Sequence, residues 1–179
     1  MSTEPNFTNT IEEWSNFFIP LADGVQLAAR AWLPTNAIEQ PVPAILEYIP
    51  YRKRDGTAIR DEQMHPYWAA FGYACVRVDM RGCGESDGLL IDEYLQQELE
   101  DAVEVIGWLE QQDWCSGQVG MMGKSWGGFN SLQVAALRPA ALKAIITVCS
   151  TDDRYADDCH YRGGAVLIEN FSWASTISG

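Results

Sequence analysis

Residues 118–129 constrain the fold of this chain more than any other segment. A short apolar run at residues 119–122 predicts a buried strand, and the chain from Trp126 onward predicts a helix. Between them stands Gly123-x-Ser125-x-Gly127, a pattern typical of a nucleophilic serine on a tight strand-to-helix turn. Such a turn strains the serine backbone and requires small residues two positions before and after it. It also places Ser125 at a helix N-terminus, which favours developing negative charge.

Two other interpretations fit the same residues. Gly123-Lys124-Ser125 matches the end of a phosphate-binding loop, but that motif requires a glycine where this chain has Gln118. Gly120 is too close to Gly123 to leave a loop that can wrap a phosphate. The second interpretation is a glycine-rich turn without chemistry. The flanking sequence therefore has to decide between them.

Composition excludes several classes of partner. The formal net charge is −13, whereas nucleic acids and anionic membranes require a basic face. No segment approaches the roughly 20 apolar residues of a membrane span, and residues 1–15 lack the apolar core of a secretory signal. The five cysteines show no C-x-x-C spacing, which argues against a zinc site and a disulfide framework. We therefore expect a cytoplasmic protein without a metal or another cofactor.

Strands and helices are predicted to alternate along the chain. A hairpin at residues 16–33 turns at Asp23-Gly24, and Pro20 assigns its first strand to a sheet edge. Further buried strands are predicted at residues 42–49, 73–79 and 142–148, and helices at residues 61–71, 95–112 and 126–138. This alternation implies an α/β fold with a mostly parallel sheet and helices on both faces.

The loop after the strand at residues 42–49 carries Tyr51 and three cations at residues 52–54. Because sites in open α/β sheets form at the carboxyl ends of strands, the Tyr51 hydroxyl is a candidate donor to an oxyanion. The alternative is a buried tyrosine beside a hydrated basic loop.

Other charged residues receive simpler interpretations. Arg81 lies in a glycine-rich turn, with Asp79 as its candidate ion-pair partner. The helix at residues 95–112 is amphipathic, and its carboxylates are expected mainly on the solvent side: Glu98, Asp101, Glu104 and Glu110. A late cluster forms a weak metal-site pattern for which a hydrated loop is the default: Asp152, Asp153, Asp157, Asp158, Cys159 and His160.

The chain lacks a complete set of partners for a serine nucleophile. In this type of fold the expected order is Ser, then Asp or Glu, then His. Of the two histidines, His65 precedes Ser125, and His160 follows it too closely to leave room for an acid-bearing strand. Asp152 and Asp153 follow the next strand, but no later histidine completes that arrangement. We therefore expect the N-terminal portion, or a truncated version, of a longer enzyme.

Several motifs occur in one order: residues 20–27, Pro50-Tyr51, residues 79–88, residues 119–128 and residues 151–164. In this order they resemble the CocE/NonD hydrolases, a group of esterases and X-Pro dipeptidyl-peptidases. The resemblance covers nearly the whole chain from about residue 17, and the combination is more specific than any single motif.

The resemblance implies a serine hydrolase of the α/β-hydrolase fold that cleaves a small-molecule ester or a short X-Pro-type peptide. It implies that Ser125 is acylated and that the Tyr51 hydroxyl and the Trp126 backbone N–H form the oxyanion hole. It further implies that residues 1–149 are the N-terminal part of the hydrolase domain and residues 150–179 the start of a cap. The triad Asp and His and a jelly-roll domain would follow later, so this chain alone is expected to be inactive.

One difference from the CocE/NonD hydrolases narrows the class of substrate expected for this chain. The amino-acid ester hydrolases of that group place a carboxylate just after the nucleophilic serine to hold the substrate ammonium, whereas this chain has Gly127, Gly128 and Phe129 after Trp126. Simple esters and prolyl peptides are therefore favoured over amino-acid esters. A hypothesis from another class is a non-catalytic binding module on the same fold, which would follow if the whole gene also lacked a late Asp and His.

Overall fold

The computed structural model of the chain describes residues 9–177. In chain order the elements are β1 (Ile11–Pro20), β2 (Gln26–Pro34), β3 (Val42–Ile49), α1 (Ala58–Ala70), β4 (Ala74–Asp79), α2 (Gln96–Glu110), β5 (Cys115–Lys124), α3 (Trp126–Leu137), β6 (Leu142–Val148), β7 (Tyr161–Arg162), β8 (Ala165–Val166) and α4 (Glu169–Ile177). Six strands form one sheet in the order β1-β2-β4-β3-β5-β6, and β7 and β8 form a separate hairpin. Residues 1–8 and 178–179, which belong to the expected hydrolase and cap segments, lie outside the described residues.

Most of the sheet is parallel. Strands β4, β3, β5 and β6 run parallel to one another, and the hairpin of β1 and β2 adds two antiparallel pairings. The hairpin turns at Asp23-Gly24, where Gly24 has a φ of +89° and the Val25 N–H donates to Asp23 Oδ1 at 3.0 Å. Strand β1 lies at the sheet edge, as Pro20 predicts. The mostly parallel α/β architecture predicted from the sequence is therefore confirmed.

Helices cover both faces of the sheet, as neighbouring residues of β4 show. Val76 belongs to the main core together with Ile106 of α2. The next residue back, Cys75, packs with Ala69 of α1 and Trp32 of β2. Successive strand residues point to opposite faces, so α1 lies on one face and α2 on the other.

The parallel strands end at a common edge of the sheet. Ile49 at the end of β3 pairs with Asp79 of β4, and Lys124 at the end of β5 pairs with Val148 of β6. The loops that carry Tyr51 and Ser125 therefore both emerge at the carboxyl edge, where sites form in α/β sheets.

Strand β6 is present where the sequence predicts it, but it is not buried as expected. Ile146 and Val148 are 54% and 48% exposed. Helix α3 packs against β6, whereas the side of the strand that carries Ile146 is open in the described part of the chain. An apolar run predicts a strand, but burial also depends on coverage by other elements.

A buried network of charges ties α1 to the sheet. The Arg77 guanidinium, 0% exposed, has its Nε 3.4 Å from Asp61 of α1 and its Nη1 3.4 Å from Asp79. Burial lowers the pKa of Arg77, while Asp79, Glu47 and Asp61 oppose that effect. Glu47 of β3 also accepts from Arg60 at 2.6 Å. Each buried charge is thus compensated by an opposite one.

Replacing Arg77 by methionine tests this network. Arg77→Met should lower the free energy of unfolding by about 3–5 kcal/mol, because three buried carboxylates lose a cation. Urea denaturation at neutral pH measures the change. Arg162→Ala is the control, since the Arg162 pair with Asp157 is exposed and should contribute less than about 1 kcal/mol. Equal stability of both variants would contradict a structural role for Arg77.

Candidate active site

The turn between β5 and α3 holds Ser125 in a strained backbone conformation. Its φ is 56° and its ψ is −118°, a region that residues other than glycine rarely adopt. The Ser125 N–H donates to the Val148 carbonyl at 2.8 Å, and the Ser125 carbonyl accepts from the N–H groups of Gly128 and Phe129 at 2.8 and 3.0 Å. The half-buried serine therefore sits strained at a helix N-terminus, as the sequence pattern predicts.

Two close approaches explain why this turn needs glycines. A Cβ added to Gly123 would lie 2.3 Å from the carbonyl carbon of Gly127, and one added to Gly127 would lie 2.6 Å from Ile49 Cγ2. The first contact is with rigid backbone, so a side chain at Gly123 would force the strand and the helix apart. The spacing of the two glycines around Ser125 thus follows from packing.

The Tyr51 hydroxyl lies beside Ser125. Burial raises the pKa of Tyr51 above its ordinary value of 10, and the neighbouring Ser125 side chain and Trp126 backbone N–H oppose the rise in part. Both groups therefore lie near the phenol. The phenol stays protonated at neutral pH and keeps an O–H to donate. The structure thus brings the three residues singled out from the sequence together.

A buried lysine anchors the loop that carries Tyr51. Lys53 is 1% exposed, and its backbone N–H donates to Asp79 Oδ1 at 2.8 Å. Its Nζ donates to Asn16 Oδ1 at 2.9 Å and also pairs with Glu85. The hydrated basic loop is therefore wrong for Lys53, because its ammonium is buried and pairs with the oxygens of Asn16 and Glu85 instead of water.

A buried carboxylate holds the aromatic side chain next to Ser125. The Trp126 Nε1 donates to Glu98 Oε2 at 3.0 Å, and the Tyr94 backbone N–H donates to Glu98 Oε1 at 2.7 Å. Burial raises the pKa of Glu98, and these two donors oppose the rise. The expectation that Glu98 faces solvent is wrong, because two N–H donors compensate for its burial.

Arg81 pairs with Asp101 and Asp23 rather than with Asp79. Its Nε and Nη2 donate to the two Asp101 oxygens at 2.7 and 2.8 Å, and its Nη2 lies 2.9 Å from Asp23. The cation beside Asp79 is Arg77. Asp101 is fully buried, so its expected place on the solvent side of α2 is also wrong. The bidentate ion pair of Arg81 and Asp101 is strong because it contains two hydrogen bonds between charged groups, and it joins the turn after β4 to α2.

Aromatic residues from distant parts of the chain surround the site. Trp173 of α4 lies 6.1 Å from the Tyr51 ring and 6.5 Å from the Trp126 ring. The Arg154 guanidinium lies 3.8 Å above the Tyr94 ring. The sequence predictions missed the roles of Trp173, Tyr94 and Arg154 here, because contacts between distant segments leave no local pattern.

Within residues 9–177, neither histidine forms a hydrogen bond with Ser125. His65 lies in α1, where its Nε2 is 3.1 Å from Glu47 and its ring stacks on Trp32 at 4.9 Å. His160 is buried, with its ring 6.3 Å from that of Trp173. The structure thus gives neither residue the contact that a general base makes with its nucleophile.

Two clusters combine side chains that can ligate a metal: Glu47, Asp61 and His65, and Asp158, Cys159 and His160. In the first cluster both carboxylates already pair with arginines. In the second, Asp158 accepts from Arg154 Nε at 2.7 Å. Ion pairing accounts for the carboxylates of both clusters. The other acidic residues of the late segment are exposed: Asp152, Asp153 and Asp157.

Comparisons with known proteins identify relatives of the chain. Residues 23–179 match the X-Pro dipeptidyl-peptidase (S15 family). Cocaine esterase of Rhodococcus sp. (strain MB1 Bresler) is 34% identical over 167 residues, which are 91% of this chain and 28% of that protein. The crystal structure of a CocE/NonD family hydrolase from Staphylococcus aureus has a TM-score of 0.77 at 23% identity. The matched region covers 93% of this chain and 33% of the hydrolase chain. The structure of an α-amino acid ester hydrolase has a TM-score of 0.71 at 24% identity, and the matched region covers 97% of this chain and 32% of that hydrolase chain.

A mostly parallel sheet with helices on both faces, and a serine on the strand-to-helix turn, define the class of α/β-hydrolases. The structural neighbours share this fold. The chain belongs to the X-Pro dipeptidyl-peptidase (S15) family. Its similarity to cocaine esterase and to a CocE/NonD family hydrolase agrees with the resemblance found in the sequence. It spans about a third of the length of the relatives named above. No helix within residues 9–177 combines the length and apolar character needed to cross a membrane.

Alanine at Gly123 tests the packing of the turn. Gly123→Ala should lower the free energy of unfolding by about 1–3 kcal/mol or more, because its Cβ meets backbone. Gly107→Ala is the matched control: a Cβ at this position in α2 meets nothing within 4 Å and should stabilise the helix by about 0.5–1 kcal/mol. Urea denaturation measures both changes. A Gly123→Ala variant as stable as the parent would contradict the close approach.

Proposed function

We propose that the protein is a serine hydrolase in which Ser125 is the nucleophile and the Tyr51 hydroxyl and the Trp126 backbone N–H form the oxyanion hole. The observation that carries this proposal is the convergence of these three groups at the strained turn after β5. Family membership supports the hydrolase class independently, because the matched family is that of the X-Pro dipeptidyl-peptidases and one matched relative is an esterase.

In the proposed reaction Ser125 Oγ attacks the acyl carbonyl carbon and loses its proton to a general base. The carbonyl oxygen becomes an oxyanion, to which Tyr51 and Trp126 donate hydrogen bonds. When the tetrahedral intermediate collapses, the bond to the leaving alcohol or amine breaks and that group takes up the proton. The resulting ester on Ser125 is then hydrolysed by water, which restores the serine.

We propose that the general base and its orienting carboxylate come from sequence after residue 179. His65 pairs with Glu47, the His160 ring contacts Trp173 without a hydrogen bond to Ser125, and the matched relatives are about three times as long as this chain. We further propose that residues 150–179 begin a cap over the site, because Trp173 and Arg154 from this segment already contact residues around Ser125.

The proposed substrate is a small ester or a short peptide cleaved after proline. Residues 127–129 offer no carboxylate to hold a substrate ammonium, which disfavours amino-acid esters. The surroundings of Ser125 are mainly aromatic, and aromatic side chains suit apolar acyl groups. A non-catalytic binding module on the same fold is the alternative, and the next experiment separates the two.

Labelling with a fluorophosphonate tests the nucleophile. In the full-length protein the probe should react with Ser125, and Ser125→Ala should abolish both labelling and hydrolysis of p-nitrophenyl acetate. Mass spectrometry of the labelled peptide identifies the site. A correctly folded full-length protein that remains unlabelled and inactive would favour the binding module.

Removal of the Tyr51 hydroxyl tests the oxyanion hole. Tyr51→Phe in the full-length protein should lower kcat by about 10²–10³, because one donor to the oxyanion is lost. Tyr67→Phe is the control, since Tyr67 is exposed on α1. An unchanged kcat in Tyr51→Phe would remove Tyr51 from the mechanism.

The isolated chain of 179 residues gives a separate prediction. It should not hydrolyse p-nitrophenyl acetate appreciably, because neither of its histidines contacts Ser125 as a base. Rapid hydrolysis that disappears in His160→Ala would instead make His160 the base.

A further inference from the structure

We propose that Glu98 is a positioning residue for the oxyanion hole. It acts by holding the Trp126 indole and the Tyr94 backbone, and thereby fixes the Trp126 N–H beside Ser125. This inference rests on the proposed function and deepens it. Nothing in the local sequence marks Glu98 for such a role, since it lies in the first turn of an amphipathic helix.

Both carboxylate oxygens of Glu98 accept a hydrogen bond. Its side chain is almost fully buried, and each carboxylate oxygen accepts from a different N–H group: Oε2 from Trp126 Nε1 at 3.0 Å and Oε1 from the Tyr94 backbone at 2.7 Å. Both partners are donors, so the ionised carboxylate, which only accepts, matches them fully. A glutamine would present an amide N–H₂ to one of the two donors and could satisfy only the other.

The residues that Glu98 holds lie directly against the site. Trp126 follows Ser125 in the chain, and its fully buried ring packs 4.9 Å from the Tyr94 ring. Tyr94 has a φ of 58°, a conformation uncommon for a tyrosine, and its N–H is held by Glu98. The Trp126 side chain has a single hydrogen-bonding atom, and that atom donates to Glu98. Glu98 therefore accepts the one side-chain hydrogen bond of Trp126, the residue whose backbone N–H is the proposed donor to the oxyanion.

The position of that N–H matters because an oxyanion hole acts through preorganised donors. A displacement near 1 Å at a reacting group can cost about 10²-fold in rate. Weakening the anchor should therefore lower kcat and leave KM nearly unchanged, since the oxyanion forms only on the way to the transition state. If the role of Glu98 were purely structural, its replacement would lower the stability of the protein without lowering kcat relative to KM.

The test compares Glu98→Gln and Glu98→Ala with Glu100→Gln, an exposed carboxylate on the same helix, in the full-length protein. With p-nitrophenyl acetate, kcat should fall about 10- to 100-fold in Glu98→Ala and less in Glu98→Gln, with KM changed less than about threefold. Glu100→Gln should behave as the parent. Glu98 variants that melt earlier but keep the parent kcat would overturn the proposal.

A second measurement needs no activity. Selective ¹⁵N-tryptophan labelling of the full-length protein gives separate indole and backbone signals for its tryptophans, and Trp126→Phe assigns those of Trp126. Glu98→Gln should shift both the indole and the backbone N–H signals of Trp126; a backbone signal that stays in place would contradict the positioning role. If the Glu98 variants do not fold, kcat of Trp126→Phe decides: a loss of about tenfold or more supports the anchor, and a parental value overturns it.

These measurements separate this inference from the proposed function. If Ser125→Ala leaves hydrolysis unchanged, the nucleophile is wrong and the catalytic role of Glu98 falls with it. The Trp126 signals would still report whether Glu98 holds the ring. If Ser125→Ala abolishes hydrolysis while the Glu98 variants keep the parent kcat, the proposed function stands and only the positioning role is lost.

Discussion

Where the backbones of Gly123 and Gly127 meet, the chain passes from strand β5 into helix α3 within one residue, and Ser125 takes up the strained conformation that this passage requires. Because the strain is fixed by backbone packing, the serine does not depend on a flexible loop for its position. The same turn places Ser125 at the N-terminus of α3, an end of a helix that favours negative charge. The candidate chemistry thus follows from a steric constraint between two glycines.

Buried charges, rather than apolar packing alone, hold the remaining parts of the site to this turn. Lys53 fixes the Tyr51 loop to Asp79, and Glu98 connects α2 to Trp126. Arg81 joins Asp101 of the same helix to the turn after β4. Each of these charged groups has its hydrogen-bond partners on another element. Such charge-assisted hydrogen bonds are strong and directional, so they set how the elements lie relative to the turn.

The backbone framework could be predicted from local patterns, because a strand, a turn and a helix each leave a signature within a few residues. The strand at residues 42–49 has the predicted bounds, whereas α1 begins at Ala58, three residues before the predicted start. The burial of Glu98, Asp101 and Lys53 could not be predicted, since charge periodicity assigns such residues to water and their partners come from distant segments. The exposure of β6 was missed for a related reason: coverage is a property of the whole fold.

The open edge of β6 has a practical consequence. Within residues 9–177, β6 is the last strand of the sheet, so its outer backbone N–H and C=O groups offer a template to which another strand can add, beside the exposed Ile146 and Val148. An open strand edge of this kind suits fragment complementation, in which two separately produced pieces of one protein associate by strand pairing. If the protein cleaves esters as proposed, recovery of that activity would report that the two pieces, or any proteins fused to them, have met.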